Sequence, residues 1–167
     1  MTQNICCEVG RREDLLPFLD LLEEAESWLS ARGILQWQPG SHRRQLSRLD
    51  RFLGSGSLLV AWQGERLAGA CLVTPTPYDA WRGHPGSAAY LEKLVVARFA
   101  AGRSLGTRLM SFAELWSRDQ RMDLLRLDCI DESERMRRYY RDLGFRELEV
   151  TTKGAQRVRL FEKPLPG

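Results

Sequence analysis

Histidine and cysteine are scarce in this chain of 167 residues, and neither forms a metal-binding pattern. His42 and His84 are its two histidines, and the cysteines at positions 6, 7, 71 and 129 include no C-x-x-C pair. Since structural zinc sites use closely spaced Cys and His ligands, we expect no bound metal. The neighbours Cys6 and Cys7 point to opposite faces of a strand and should not pair. Reduced thiols in the cytoplasm are therefore expected.

Long apolar runs, blocks of charge and repeats are also missing. No stretch approaches the roughly 20 apolar residues that span a membrane. The first residues lack the basic segment and apolar run of a signal peptide. The net charge of +3 is mild, its basic residues are scattered, and no nucleic-acid recognition motif is present. We expect a single domain over residues 1–167, with neither a membrane nor a nucleic acid as partner.

Hydrophobic periodicity predicts an α+β fold with a mixed sheet. A helix over 15–29 is predicted to follow the first strand, and Ser41 is expected to cap a second one. A third helix follows Gly106, and Asp131 with Glu134 forms a possible capping box for a fourth. The Pro- and Gly-rich segment 75–86 is predicted to be a loop. Strands are predicted at 5–9, 57–62, 65–73, 87–96, 124–130, 147–151 and 157–162.

A glycine-bearing turn between a predicted strand and a predicted helix is the first candidate binding feature. Its residues are Ala101, Gly102, Arg103, Ser104, Leu105, Gly106 and Thr107. Glycines let a ligand approach the backbone, and the first N–H groups of a helix are free to bind a phosphate. A plain strand-to-helix connection explains the same residues about equally well. The turn lacks Gly-Lys-Ser/Thr and G-x-G-x-x-G, which argues against Walker and Rossmann sites.

The turn resembles the acetyl-CoA motif of GCN5-related N-acetyltransferases (GNAT), whose usual pattern is Arg/Gln-x-x-Gly-x-Gly/Ala. The segment from Ser133 to Phe145, with Tyr140-x-x-x-Gly144-Phe145, resembles the family's second conserved stretch. The predicted helices after the first strand, which we call the front helices, resemble those of a small bacterial branch of the family at residues 28–29 and 33–37. The resemblance implies a centrally splayed sheet and acetyl transfer from acetyl-CoA to a primary amine. It also implies that the cofactor contacts the turn together with Leu94, Val95, Val96, Ser133 and Tyr140.

Three positions depart from the family pattern. Ala101 stands where Arg or Gln is usual, Ser104 where the middle Gly is usual, and Ser133 where many relatives have Asn. Because backbone N–H groups do most of the phosphate binding, we expect altered affinity and retained function. A CoA-binding sensor or interaction module with weakened catalysis is the alternative.

The resemblance points to two residues for proton transfer. A carboxylate at Glu92 often serves as general base in this family, usually through water. A lysine-like acceptor amine needs a general base to take its proton, because only about one such molecule in a thousand is neutral at pH 7. Tyr140 is the candidate acid for the leaving thiolate. Without the resemblance, a solvent-facing or ion-paired position explains Glu92 about as well as catalysis does, and core packing explains Tyr140 better than an acid role does.

Aromatic residues are the candidates for the acceptor side, because they attract an amine through cation–π contact. These are Trp28, Trp37, Trp81 and Tyr90, and packing is the alternative for each. The acceptor is expected to be a small molecule or a protein amine, and the protein a monomer or homodimer. The sequence does not choose among acceptors.

Overall fold

The computed structural model describes residues 4–167 and shows a seven-stranded mixed sheet flanked by helices, which confirms the α+β fold expected from the sequence. The strands lie in the order β1-β2-β3-β4-β5-β7-β6. Their bounds are β1 Ile5–Val9, β2 Ser57–Gln63, β3 Arg66–Thr74, β4 Ala88–Val96, β5 Leu124–Ile130, β6 Arg146–Lys153 and β7 Gln156–Pro164. The helices are α1 Leu15–Ser30, α2 Ser41–Arg44, α3 Leu46–Phe52, α4 Leu105–Asp119 and α5 Glu134–Asp142.

The sheet opens in its middle, between β4 and β5. These two strands are parallel and pair only where residues 88–90 meet residues 124–126, whereas all other neighbours are antiparallel. Beyond this short contact β5 continues along β7, and β4 continues along β3. The facing edges of β4 and β5 therefore separate, as the central splay expected from the sequence requires.

Two hydrophobic layers cover the sheet. On one side, Met110 and Ala113 of α4 and Tyr140 of α5 pack with alternate residues of the central strands. On the other side, α1 and α3 cover the strand residues that point to the opposite face of the sheet, and Phe18 and Leu49 of these helices are fully buried. Within residues 4–167, no helix is long and apolar enough to cross a bilayer.

β4 contains a bulge at Lys93. Glu92 pairs with Leu72, and the next paired residues are Val95 and Ala70, so β4 has one residue more than β3 here. Lys93 has a φ of 55°, a left-handed conformation that a side chain rarely adopts. Bulges of this kind re-aim side chains and often lie beside functional sites.

Two helix starts differ from those expected. Ser41 makes no side-chain cap, because the chain enters α2 through Gly40 at a φ of 72°. The capping box of Asp131 and Glu134 is not formed either, since Asp131 is bonded to Arg159 at 2.9 Å. Ser133 caps α5 in its place, and its hydroxyl oxygen accepts the N–H of Met136 at 3.3 Å.

A buried arginine closes the sheet at the joined end of β4 and β5. Arg126 is 3% exposed and forms an ion pair with Glu162 of β7 at 2.8 Å. The same guanidinium donates to the hydroxyl of Tyr90 and to the carbonyl of Pro85, which ties the 75–86 loop to the sheet. This loop includes a short 3-10 helix, Asp79–Trp81. A buried carboxylate that loses such a partner is strongly destabilised.

We expect Arg126→Ala to lower the free energy of unfolding by about 3 kcal/mol or more, because Glu162 loses its buried partner and the carbonyl of Pro85 loses its donor. Arg146→Ala is the matched control, since Arg146 pairs with the same carboxylate at 3.0 Å but is 72% exposed. Its loss should cost less than about 1 kcal/mol. Urea unfolding of both variants measures the difference, and equal losses would contradict the role of burial.

Candidate active site

A groove of about 610 Å³ lies where β4 and β5 separate. Its walls are residues 91–94 of β4 and 128–130 of β5. The front segment 36–48 covers one end, together with the turn between β6 and β7, and α5 contributes Met136 and Tyr140. Residues of β4 beyond Tyr90 have no strand on the groove side, so their backbone edge faces this space. An extended ligand can pair with such an edge as an added strand.

The glycine-bearing turn leads into α4 beside this groove. Gly102 and Ser104 have left-handed φ values of 77° and 56°. Within the described chain, the N–H groups of residues 102–107 donate to no protein acceptor, and the first internal bond of the helix is from Arg108 to Ser104 at 3.1 Å. A row of free N–H groups at the positive end of a 15-residue helix suits a pyrophosphate.

Ser104 replaces the glycine of the family pattern, but its side chain does not fill the turn. Its side chain is exposed, and its backbone adopts the left-handed conformation that glycine adopts readily. Gly106 is more restricted, because a Cβ there would lie 2.9 Å from the hydroxyl of Tyr139. The Tyr139 hydroxyl lies against the start of α4 and fills the space over Gly106. A Cβ at Gly102 would meet nothing within 4 Å, so the turn keeps room for a ligand at that glycine.

Tyr140 reaches the groove from α5 and is 4% exposed. Its ring packs against Phe161 at 5.5 Å and Phe145 at 6.0 Å between centroids. Among residues 4–167 its hydroxyl has no hydrogen-bond partner within the protein, so it is free to donate to a ligand. Burial raises the pKa of Tyr140 well above that of an ordinary tyrosine, which keeps the proton on the oxygen at neutral pH.

Glu92 lies in the groove wall opposite α5 and is 7% exposed. Its Oε2 lies 3.5 Å from the guanidinium of Arg48, whose side chain is about half exposed. A carboxylate with one long ion pair keeps lone pairs available for a water or an amine.

The four aromatic candidates for the acceptor side are not brought together. Trp37 lines the groove and meets the ring of His42 edge-on at 4.8 Å. Trp28 lies elsewhere, with the guanidinium of Arg98 4.0 Å above its ring. Trp81 and Tyr90 are 1% and 3% exposed in a separate buried cluster. Their placement corrects the expectation that Trp28, Trp81 and Tyr90 face the acceptor, because arginines already occupy their rings and the Tyr90 hydroxyl.

Lys93, His42 and Glu26 form a polar chain at the acceptor end of the groove, which sequence reasoning did not identify as a unit. The Nζ of Lys93 lies 3.2 Å from Nδ1 of His42, and Nε2 of His42 lies 3.7 Å from Oε2 of Glu26. Burial and the nearby ammonium of Lys93 lower the pKa of His42 to about 4, so the imidazole is neutral. Burial also lowers the pKa of Lys93, to about 8.

A signal for Lys93 was present in the sequence. The chain has 22 arginines but only three lysines, at positions 93, 153 and 163. Two of the three, Lys93 and Lys153, line the groove. Lys153 lies 3.1 Å from Asp128, which also accepts the Tyr78 hydroxyl at 2.5 Å. Asp128 thus orients neighbours in the groove wall.

Comparison with known proteins identifies the family of the chain. The model of the acetyltransferase (GNAT) family matches residues 20–145. The chain belongs to this family. Members of the GNAT family use acetyl-CoA, and the matched residues include the turn before α4 and α5 with its two tyrosines.

Individual GNAT proteins resemble the chain over nearly its whole length. The uncharacterized N-acetyltransferase YesJ of Bacillus subtilis (strain 168) is 29% identical over 159 residues, which cover 92% of this chain and 86% of YesJ. A GNAT-family acetyltransferase from Listeria monocytogenes 4b F2365 superposes with a TM-score of 0.78 at 25% identity, covering 96% of this chain and 95% of that one. PaiA N-acetyltransferase from Thermoplasma acidophilum, solved in complex with coenzyme A, gives a TM-score of 0.72 at 18% identity, covering 96% and 99%.

The buried His42 makes the stability of this GNAT protein depend on pH. An unfolded histidine has a pKa near 6.5. As the pH falls from about 6.5 to about 4, the unfolded chain binds a proton at this position that the folded protein does not. We therefore expect the wild type to lose more stability than His42→Gln over this interval, by about 1.4 kcal/mol per pH unit. Urea unfolding at pH 7 and pH 5 measures it, and parallel losses in the two proteins would contradict the prediction.

Proposed function

We propose that the protein transfers an acetyl group from acetyl-CoA to a primary amine of a small molecule or protein. The acceptor amine attacks directly, with donor and acceptor bound together in the groove. The observation that carries the proposal is the opening between β4 and β5 with Tyr140 in it, next to a turn of unbonded N–H groups whose Gly106 lies against Val96 and Tyr139.

Acetyl-CoA supplies, when bound, a thioester-activated acetyl group and a thiol leaving group. The N–H groups of residues 102–107 hold its pyrophosphate, and the open edge of β4 at Leu94, Val95 and Val96 pairs with its pantetheine arm. The open space over Gly102 supports this assignment, since a ligand can approach the backbone there. Ser133 lies at the start of α5, where its hydroxyl proton is free to bond while its oxygen caps the helix.

Glu92 is the proposed base. An ammonium cannot attack a carbonyl, so the acceptor must lose a proton before or during attack. Glu92 lines the same groove as Lys93 and His42, on the acceptor side, and reaches an amine there through a water. Arg48 keeps the carboxylate in place at 3.5 Å without enclosing it, because the arginine itself is about half exposed.

Tyr140 is the proposed acid. Its hydroxyl keeps a proton at neutral pH because burial disfavours the phenolate. The leaving thiol has an ordinary pKa near 8.5, so a phenol can hydrogen-bond to the sulfur or protonate it. The packed rings of Phe145 and Phe161 hold Tyr140 in one orientation, which spares the enzyme the cost of ordering it.

The alternative is a CoA-binding module with weakened catalysis, which the departures at Ala101 and Ser104 suggested. The exposed side chain of Ser104 leaves the turn open, and both proton-transfer candidates are present in the groove. These observations favour the enzyme.

Thermal unfolding with and without acetyl-CoA tests the donor site. Ligand at a hundred times its dissociation constant adds about 2.7 kcal/mol. For a domain of this size we expect Tm to rise by about 5–10 °C. Folded protein whose Tm does not change would contradict the assignment of the turn.

Tyr140→Phe tests the acid. Removing a proton donor should lower kcat by about a hundredfold or more. Binding of acetyl-CoA, followed by the rise in Tm, should stay nearly unchanged, because the ring remains in place. Tyr139→Phe is the matched control, since its hydroxyl lies beside Gly106 and its loss should act on KM and not on kcat. An equal loss of turnover and of acetyl-CoA binding in Tyr140→Phe would contradict the assignment of Tyr140 as the acid.

A further inference from the structure

The groove that receives an acceptor amine already contains an amine of the protein. Lys93 is the extra residue of the β4 bulge, and its side chain lines the groove between the carboxylate of Glu92 and the front helices. Its Nζ lies 3.2 Å from Nδ1 of His42. Lys93 is thus a primary amine next to the expected position of the thioester.

His42 is arranged to accept a hydrogen bond from that amine and to hold it in place. Its side chain is 1% exposed, and both Nε2 and the Oε2 of Glu26 are buried without a hydrogen-bond partner within residues 4–167. These two atoms are 3.7 Å apart, so an N–H at Nε2 points at the carboxylate and leaves the lone pair of Nδ1 for Lys93. The backbone N–H of Gly40 holds the other oxygen of Glu26. The neutral imidazole thus positions Nζ of Lys93 in the groove, and Glu26 lies behind the imidazole.

The surroundings of Lys93 favour its neutral form. Burial lowers its pKa to about 8, and the charges facing it are mixed: Glu92 and Asp128 oppose the shift, while Arg48 and Lys153 support it. At pH 7 about a tenth of such an amine is neutral, against about one in a thousand or fewer of ordinary lysines.

The presence of lysine, and not arginine, at position 93 favours a reaction in which the side-chain amine loses its proton. Arginine stays charged, whereas lysine can lose its proton. This chain uses arginine for 22 of its 25 basic residues. The other lysines have carboxylate partners, Lys153 with Asp128 and Lys163 with Glu114 at 2.6 Å. Across the described part of the chain, Lys93 has no such ion pair, and its partner is a neutral imidazole.

We propose that Lys93 is a self-acetylation site, at which the protein's own amine takes the acetyl group when no acceptor occupies the groove. The inference rests on the donor site proposed above. The Nζ–C bond forms and the C–S bond breaks. One proton leaves Nζ to solvent in the groove, and the departing sulfur takes up one proton to give free CoA. The product is a stable amide without charge, which fills the acceptor end of the groove and blocks further turnover.

Mass spectrometry of the purified full chain tests the proposal. The protein is incubated with deuterated acetyl-CoA and no amine, so that label added in vitro is distinguished from earlier acetylation. We expect one added acetyl group, located at Lys93 after digestion with a protease that does not cut at lysine. The rate should be first order and independent of protein concentration, because donor and amine belong to one molecule. It should rise with pH to about 8 and then level off.

Variants separate this site from nonspecific acetylation. Lys93→Arg should abolish the label, whereas Lys153→Arg, in the same groove, should keep it. Glu26→Gln should slow labelling by about tenfold or more without removing Lys93, because His42 loses its orienting carboxylate. A stable fold of each variant is checked by its Tm.

The rise in Tm with acetyl-CoA distinguishes the two proposals. A rise without label at Lys93 would overturn self-acetylation and leave the proposed function standing. Label spread equally over Lys153 and Lys163 would mean chemical acetylation by the thioester, and would also overturn it. If neither a rise in Tm nor a label appears, the donor site is absent and both proposals fall.

Discussion

The structure depends on one limited contact, the pairing of β4 with β5 over only three residues. A sheet that paired these strands throughout would satisfy its backbone groups internally and leave no space. Here the strands join where Arg126 and Glu162 lie buried, and separate towards Glu92 and Asp128. Helices from both faces meet the opening, so a tyrosine of α5 and a histidine of α2 reach the same groove. The buried ion pair at the joined end and the groove at the open end are two parts of one arrangement.

The sequence predicted what local patterns determine. The strand at 124–130 matches β5, and the turn before α4 was recognised because free helix N–H groups and glycines have a local signature. The cap of α5 could not be predicted in this way. The local sequence favours Asp131 as the cap, but Asp131 bonds to Arg159, which lies on a strand distant in sequence. Trp81 and Tyr90 illustrate the same limit. Aromatic residues suit a ligand or a core equally well, and the buried Arg126 that occupies them comes from a strand more than 30 residues away.

The polar residues of the groove differ from those of the surface in how they are neutralised. Surface arginines such as Arg43 pair closely with carboxylates, at 2.7 Å from Glu23. Around Glu92 and Lys93 in the groove, the partners are farther apart or uncharged: Arg48 stands 3.5 Å from Glu92, and Lys93 faces a neutral His42. Groups held in this way keep bonding capacity that a close ion pair would use. The same incomplete pairing makes His42 and Glu26 unfavourable for the fold and suitable for holding an amine in the groove.

The bulge at Lys93 has a consequence for how this protein tolerates change in chain length. Because of the extra residue, Glu92 and Val95 face the same side of the sheet although they are three positions apart, and Val95 packs with Leu72 beneath α1. Deleting the extra residue would place Val95 two positions after Glu92, where strict alternation keeps both side chains on that same side. A one-residue gap at the bulge would therefore preserve the layer beneath α1, whereas a gap elsewhere in β4 would exchange the faces of the residues that follow it. Homologous chains that are one residue shorter in this strand should therefore lack the bulge residue.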